Sequence, residues 1–251
     1  MTLPLPHSGL RAVIVVPAKD EEELVARCVH GLAAQEGVDH DRYEVILVLD
    51  ACRDGTRAQA LAAAAHHPDL RLHVVEGPGL GVGRARRAGM EAGCARLGSV
   101  GRPHGLIACT DADSVVDRCW LAVQLELAAQ GAVAIGGRID ILPEDLELLS
   151  KRTLDARKLS GARRRMLAAA RDAGLADHGY FSGASMSVTA SLYREVGGLK
   201  PLVALEDESL ERTLIERGVA IVRSNTVRVS TSGRIEGRAP RGLAYDLATA
   251  L

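Results

Sequence analysis

Four short apolar runs alternate with helical stretches in the first 110 residues, and that alternation leaves the chain few folds to choose from. Arg11-Ala-Val-Ile-Val-Val16 reads as a buried strand stopped by Pro17, and Asp20-Glu21-Glu22-Glu23 then opens a helix to about Gln35. Val45 to Leu49 ends at Asp50, and after the turn Cys52-Arg53-Asp54-Gly55 comes an alanine-rich helix from about Thr56 to His66. Leu72 to Val75 leads through a glycine loop into a helix from Arg84 to about Leu97, and Leu106 to Thr110 makes the fourth run. Strands joined through helices in this way pair in parallel with right-handed crossovers. Ligands of such sheets bind beyond the carboxyl ends of the strands. Pro17, Asp50, Gly77 to Gly83 and Asp111 all fall there, so four polar or special-backbone segments converge on one crevice.

At 251 residues the chain has the length of one large α/β domain, which buries its core without help from disulfides. With 31 basic and 32 acidic side chains its net charge is -1, so no global field recommends nucleic acid or an anionic membrane as partner. Arg163-Arg164-Arg165 is a short basic patch without interleaved aromatics, which also speaks against nucleic acid. Five scattered cysteines without a C-x-x-C pair fit reduced thiols in a cytosol. The stretch from Met1 to Pro6 lacks the features of a signal peptide, and no apolar run approaches a bilayer span. The expectation is a soluble cytoplasmic protein, with peripheral attachment to the inner membrane face and self-association left open.

The second half is less regular. Val133 to Ile141 reads as a strand, Leu146 to Ala173 as a long basic helix, and His178 to Ser185 as a polar, glycine-broken loop. A strand at Ser185 to Thr189, a helix near Leu192 to Val196, a helix opened by Glu206-Asp207-Glu208 and a strand pair around Val219 to Val229 follow. The glycine- and arginine-rich tail, Thr231 to Arg241, reads as mobile.

Asp111-Ala112-Asp113, followed by Ser114, stands where the fourth strand ends. Residues two apart on an extended chain share a face, so both carboxylates project together. That makes a hard, all-oxygen site of the kind that suits Mg²⁺ or Mn²⁺ with substrate phosphate oxygens. A second reading has Asp113 or Ser114 capping a helix over Val115 to Gln130. The loop Gly77-Pro-Gly-Leu-Gly-Val-Gly-Arg84 has the context for anion binding by backbone N–H groups at a helix start. It fails the dinucleotide fingerprint, because Arg84 stands where the third glycine belongs and the loop follows the third strand. Arg84, Arg86 and Arg87 are candidates to neutralise a diphosphate, with Arg84 best placed in the first turn.

The ordered set Pro17-Ala18-Lys19-Asp20-Glu21-Glu22, Asp50-Ala51-Cys52-Arg53-Asp54-Gly55-Thr56, Gly81-x-Gly83-x-Ala85-Arg86-x-x-Gly89, Thr110-Asp111-Ala112-Asp113-Ser114 and Glu206-Asp207 resembles the family 2 nucleotide-sugar glycosyltransferases of GT-A fold. The resemblance runs over roughly residues 10 to 230. It implies a single α/β domain with a mostly parallel, Rossmann-like sheet flanked by helices, residues 10–125 binding the nucleotide sugar and 126–251 the acceptor. It implies that Pro17, Ala18, Lys19 and Glu21 line the nucleotide pocket and that Asp50 accepts from the base. Asp111 and Asp113, with Ala112 between them against the donor, would hold ribose and a Mn²⁺ or Mg²⁺ ion. Asp207, beside Glu206, would be the general base of an inverting transfer to a hydroxyl of a small molecule, glycan or lipid-linked acceptor. Gly183-Ala184-Ser185 matches the place where the acceptor approaches the backbone, and Trp120 would wall that pocket.

Two departures stand out. One acid, Asp50, follows Leu49 where the family often has two, and Thr231 and Ser232 occupy the region where many members carry a metal-binding histidine. A structural reading also exists for the first acidic cluster, in which Asp20 and Glu23 cap the helix and Glu22 favours its dipole. The rival functions are a sugar-phosphate nucleotidyltransferase and a donor-binding protein without turnover.

Overall fold

The computed structural model describes residues 3–171, 176–237 and 242–249. Its strands are β1 (Ala12–Ala18), β2 (Tyr43–Leu49), β3 (Leu72–Glu76), β4 (Leu106–Cys109), β5 (Ser114–Val116), β6 (Ala134–Ile141), β7 (Met186–Thr189) and β8 (Val222–Thr231). Its helices are α1 (Val25–Ala33), α2 (Thr56–Ala65), α3 (Val82–Ser99), α4 (Trp120–Ala129), α5 (Pro143–Leu146), α6 (Lys151–Arg171), α7 (Ala190–Glu195), α8 (Glu206–Glu216) and α9 (Leu243–Thr249). All eight strands form one sheet in the order β3-β2-β1-β4-β7-β6-β8-β5. The first four are parallel; β7 runs antiparallel to both β4 and β6, β8 runs parallel to β6, and β5 closes the edge antiparallel to β8. The sheet is thus mixed and mostly parallel. No helix among the described residues is long and apolar enough to cross a membrane.

Both faces of the sheet are covered, which is why β1 and β2 are apolar at nearly every position. Ala12, Ile14, Val16 and Ala18 pack with α1 and Trp120 on one side, while Val13 and Val15 pack with Met90 and Leu97 of α3 on the other. Gly89 and Gly93 make the second layer thin: a Cβ at Gly89 would stand 2.4 Å from Val15 Cγ1.

Register fixes what leaves the sheet together. Cys109 lies opposite Val15 and Leu49 opposite Ala18, so Asp50 and Asp111 emerge beside Pro17 and Lys19. Because β7 is antiparallel and starts with Met186 opposite Cys109, the loop feeding it, residues 182–185, arrives at the same end. Thr231 pairs with both Ser114 and Ile141, so the chain after β8 also leaves the sheet beside Asp113, whose carbonyl accepts from Ser232 N.

Five expectations need correction. Ser114 and Asp113 cap no helix: Val115 and Val116 are β-branched and half or fully buried, and they pair with β8 as β5 instead. Asp117 takes the turn, its Oδ1 accepting from Cys119 N ahead of α4. The first helix starts at Val25, not at Asp20. Asp20 is left-handed, φ 51°, and two of the acids serve the neighbouring loop: Asp20 Oδ1 accepts from Arg53 N and Glu22 Oε2 from Gly55 N, and α1 has no side-chain cap. The long basic helix begins at Lys151 rather than Leu146, which ends the short α5, and its last two expected residues, 172 and 173, lie outside the described ones. The strand pair near residues 219–229 is the single strand β8. Residues 231–234 of the supposed tail are bound in place, Gly233 N donating to Asp145 Oδ2, while 238–241 lie outside the described residues.

Candidate active site

One cavity of about 740 Å³ opens at the carboxyl ends of the parallel strands. Pro17, Ala18, Lys19, Glu21 and Asp50 form one end, Asp111, Ala112 and Asp113 the floor, and Gly183, Ala184, Glu206 and Asp207 the other end. Helices α6 and α9 close the far side through Arg157, Arg164 and Leu247 among others. Arg84, Arg87, Trp120 and Ser185, all candidates from the sequence, do not line the cavity, and Arg87 pairs with Glu91 instead.

The arginine turned inward is Arg86. On α3 it shares the sheet-facing side with Gly83, Met90, Gly93 and Leu97, whereas Arg84 reaches the carbonyl of Pro201. Arg86 Nη2 donates to Asp111 Oδ1 at 2.8 Å, Nε to Glu206 Oε1 at 2.9 Å and Nη1 to the Gly183 carbonyl at 3.1 Å. One guanidinium therefore ties β4, the loop before β7 and α8 together. Burial works against its charge, but Asp111 and Glu206 outweigh burial and raise its pKa well above the ordinary value. Gly183 is required by this contact, because a Cβ there would meet Arg86 Nη2 at 2.3 Å. Glu206, buried at 3% exposure, is turned to Arg86, while Asp207 faces the cavity.

Asp207 sits in the first turn of α8, after Leu205 in a left-handed conformation (φ 60°) that swings the chain into the helix. Its Oδ2 accepts from Gly183 N at 2.9 Å and its Oδ1 from Glu208 N at 2.8 Å. The carboxylate is oriented by two backbone donors and keeps further lone pairs for a ligand.

Asp50 lines the cavity and is also engaged by the chain itself. Its Oδ1 accepts from Gly79 N and Leu80 N, and its Oδ2 from Gly81 N. The glycine loop does bind an anion through its N–H groups, but the anion is Asp50. Gly79 and Gly81 have positive φ, 68° and 100°, which lets three successive N–H groups turn to one carboxylate. Trp120 is a core residue: fully buried, with Nε1 donating at 3.0 Å to Ser185 Oγ, it fixes the base of the loop and does not line this cavity.

Arg234, just past β8, lies in the glycine- and arginine-rich stretch that carries no motif of its own. Its Nη1 donates to Glu21 Oε2 at 2.8 Å and its Nη2 to Glu21 Oε1 at 2.6 Å, while Nη2 also lies 2.7 Å from Asp113 Oδ2. Ser114 Oγ and Thr231 Oγ1 stand at the other oxygen, Oδ1, at 3.3 and 3.4 Å. Burial, then Asp111 and Glu21, push the Asp113 carboxyl up to about 6, with Arg234 opposing. Asp111 and Asp113 are a hard oxygen set that fits a divalent cation by chemistry. Arg234 covers one of the oxygens such an ion would use. Among the described residues, one group of three acidic or thiol ligand atoms lies within mutual reach, Asp20, Cys52 and Asp54. It serves the loops, with Cys52 Sγ donating to the Ala18 carbonyl and Asp54 accepting from Glu22 N and Thr56 N.

The fold is that of the GT-A glycosyltransferases. A mannosyltransferase from Pyrobaculum calidifontis, solved with GDP-Man and Mn²⁺, superposes with a TM-score of 0.63 at 19% identity, covering 96% of this chain and 69% of its own. S. aureus TarS 1-349, in complex with UDP-GlcNAc, gives 0.61 at 13% identity over 94% of this chain and 69% of its own. Glucosyl-3-phosphoglycerate synthase from Mycobacterium tuberculosis, with Mn²⁺, UDP and phosphoglyceric acid, gives 0.58 at 19% identity over 90% and 72%. Residues 13–188 match the model of glycosyl transferase family 2, and the chain belongs to that family. No curated protein matches it.

Proposed function

We propose that this protein transfers a sugar from a nucleotide diphosphate sugar to an acceptor hydroxyl with inversion, Asp207 acting as general base. The observation that carries the reading is that the Asp111 and Asp113 pair and the backbone-oriented Asp207 open on one cavity at the carboxyl ends of the sheet. Pro17, Ala18, Lys19, Glu21 and Ala51 wall the nucleotide end, and the diphosphate lies over Ala112 between the two aspartates. The acceptor enters past Gly183 and Ala184, which put no more than a hydrogen and a methyl group in its way. Asp207 removes the acceptor hydroxyl proton as that oxygen bonds to the anomeric carbon. The bond from that carbon to the phosphate oxygen breaks on the opposite face, and the nucleoside diphosphate departs. Mn²⁺ or Mg²⁺, when held by Asp111 and Asp113, would supply positive charge to the leaving diphosphate. Relatives solved with GDP-Man, UDP-GlcNAc and Mn²⁺ support this class of donor and ion. The nucleotidyltransferase reading weakens, because the glycine-loop N–H groups it needs for phosphate are engaged by Asp50.

Asp207→Asn tests the assignment. The amide keeps an oxygen for Gly183 N and gives up only the contact with the adjacent Glu208 N, so the fold and nucleotide diphosphate binding, followed by calorimetry, are retained. Turnover falls by about 10²- to 10⁴-fold, the range typical of general base catalysis. Wild-type rates in this variant would refute the role, and a wild-type protein that binds a nucleotide sugar but never transfers or hydrolyses it would return the non-catalytic alternative.

A further inference from the structure

Resting on the donor-site reading above, we propose that Arg234 is a displaceable cation on Asp113, and that it and a divalent metal ion exclude each other there. The guanidinium is held more firmly on one side than the other. Two of its nitrogens form a fork with Glu21, at 2.8 and 2.6 Å, and a single contact of 2.7 Å reaches Asp113 Oδ2. Fork contacts between arginine and a carboxylate are the stronger and more directional kind. Arg234 can therefore leave Asp113 while staying anchored on Glu21.

A divalent ion cannot bind without that release. Mg²⁺ stands about 2.1 Å from a carboxylate oxygen. Nη2 already lies 2.7 Å from Oδ2, and the other oxygen faces the hydroxyls of Ser114 and Thr231. Two cations on one oxygen would also repel in a partly desolvated place, where Asp113 is 15% and Glu21 7% exposed. The sequence supplies the device at the turn after β8, with Thr231 and Ser232 in the strand-end region and Arg234 two residues on. With Arg234 seated, Asp113 is neutralised and the site is metal-poor. With Arg234 swung onto Glu21 alone, both aspartates face the cavity for the ion.

The test is calorimetric titration of Mn²⁺ alone, without nucleotide, into wild type, Arg234→Gln and Arg234→Lys. Removing the competitor makes Arg234→Gln bind Mn²⁺ at least tenfold more tightly than wild type, and adding Asp113→Asn abolishes the gain. Arg234→Lys, which keeps a charge but loses the fork, falls between the two. Equal or weaker Mn²⁺ binding by Arg234→Gln would overturn the proposal. Should that variant fail to fold, NMR of the wild-type arginine side chains decides: Mg²⁺ must shift the Arg234 Nε–H signal, and an unmoved signal at saturating Mg²⁺ refutes exclusion. Neither measurement uses a donor, so each stands apart from whether the cavity takes nucleotide sugars.

Discussion

Replacing Arg86 by methionine should destabilise the protein more than any surface change, and the size of the loss follows from who is left behind. Arg86 and Glu206 are each only 3% exposed and 2.9 Å apart. Removing one partner of a buried pair costs about 3–5 kcal/mol, mostly because the other charge stays buried and unpaired. Asp111, the second partner, is 31% exposed and can recover water, so its share is discounted. The expected loss is about 3–5 kcal/mol in all. At roughly 2–4 °C per kcal/mol for a chain of this size, the melting temperature drops by about 6–20 °C. Neutralising the orphan tests the cause: Arg86→Met with Glu206→Gln should be more stable than Arg86→Met alone, with a coupling of at least about 2 kcal/mol across the double-mutant cycle. Urea and thermal unfolding of the four proteins give the numbers. A single variant within about 1 kcal/mol of wild type, or a double variant equal to the sum of the singles, would refute the reasoning.

Two further perturbations separate architecture from chemistry. Asp50→Asn replaces a carboxylate that accepts from Gly79, Leu80 and Gly81 with a group having one acceptor oxygen; amide hydrogen exchange across Gly79–Gly81 should rise at least tenfold while that of β1 and β2 stays unchanged, and unaltered exchange in the loop would show that the carboxylate does not hold it. Trp120→Phe leaves the Ser185 hydroxyl without its buried donor and should cost about 1–3 kcal/mol in urea unfolding with the acceptor KM unchanged; a raised KM at unchanged stability would restore Trp120 to the acceptor pocket.

The parallel half of the sheet is legible because burial on both faces leaves β1 and β2 apolar at every position but Glu44 and their ends abrupt, so local pattern alone places Asp50 and Asp111. Helix α3 carries a signal of its own. Gly83, Arg86, Met90, Gly93 and Leu97 recur at helical spacing on the packed face, which marks Arg86 rather than Arg84 as the inward arginine. Residues after β4 were harder, since Val115 and Val116 gain their partner only when β8, more than 110 residues later, lies beside them. Arg234 shows the same limit. A glycine- and arginine-rich stretch resembles a loose tail, and its order comes from Glu21 and Asp113, which the fold brings in from more than 100 residues earlier in the chain. Trp120 misled for another reason: chemistry identifies an aromatic ring, but only packing says which side of the sheet it faces.

The central claim is that the cavity takes a nucleotide diphosphate sugar over Asp111 and Asp113. Calorimetric binding of uridine, guanosine, adenosine and thymidine diphosphates and their sugars, with Mn²⁺ and with EDTA, tests it most directly. The account predicts saturable one-to-one binding of at least one of these donors, weakened at least tenfold by Asp111→Asn in a protein that still folds. No binding across the whole panel, or binding that Asp111→Asn leaves unchanged, would contradict it.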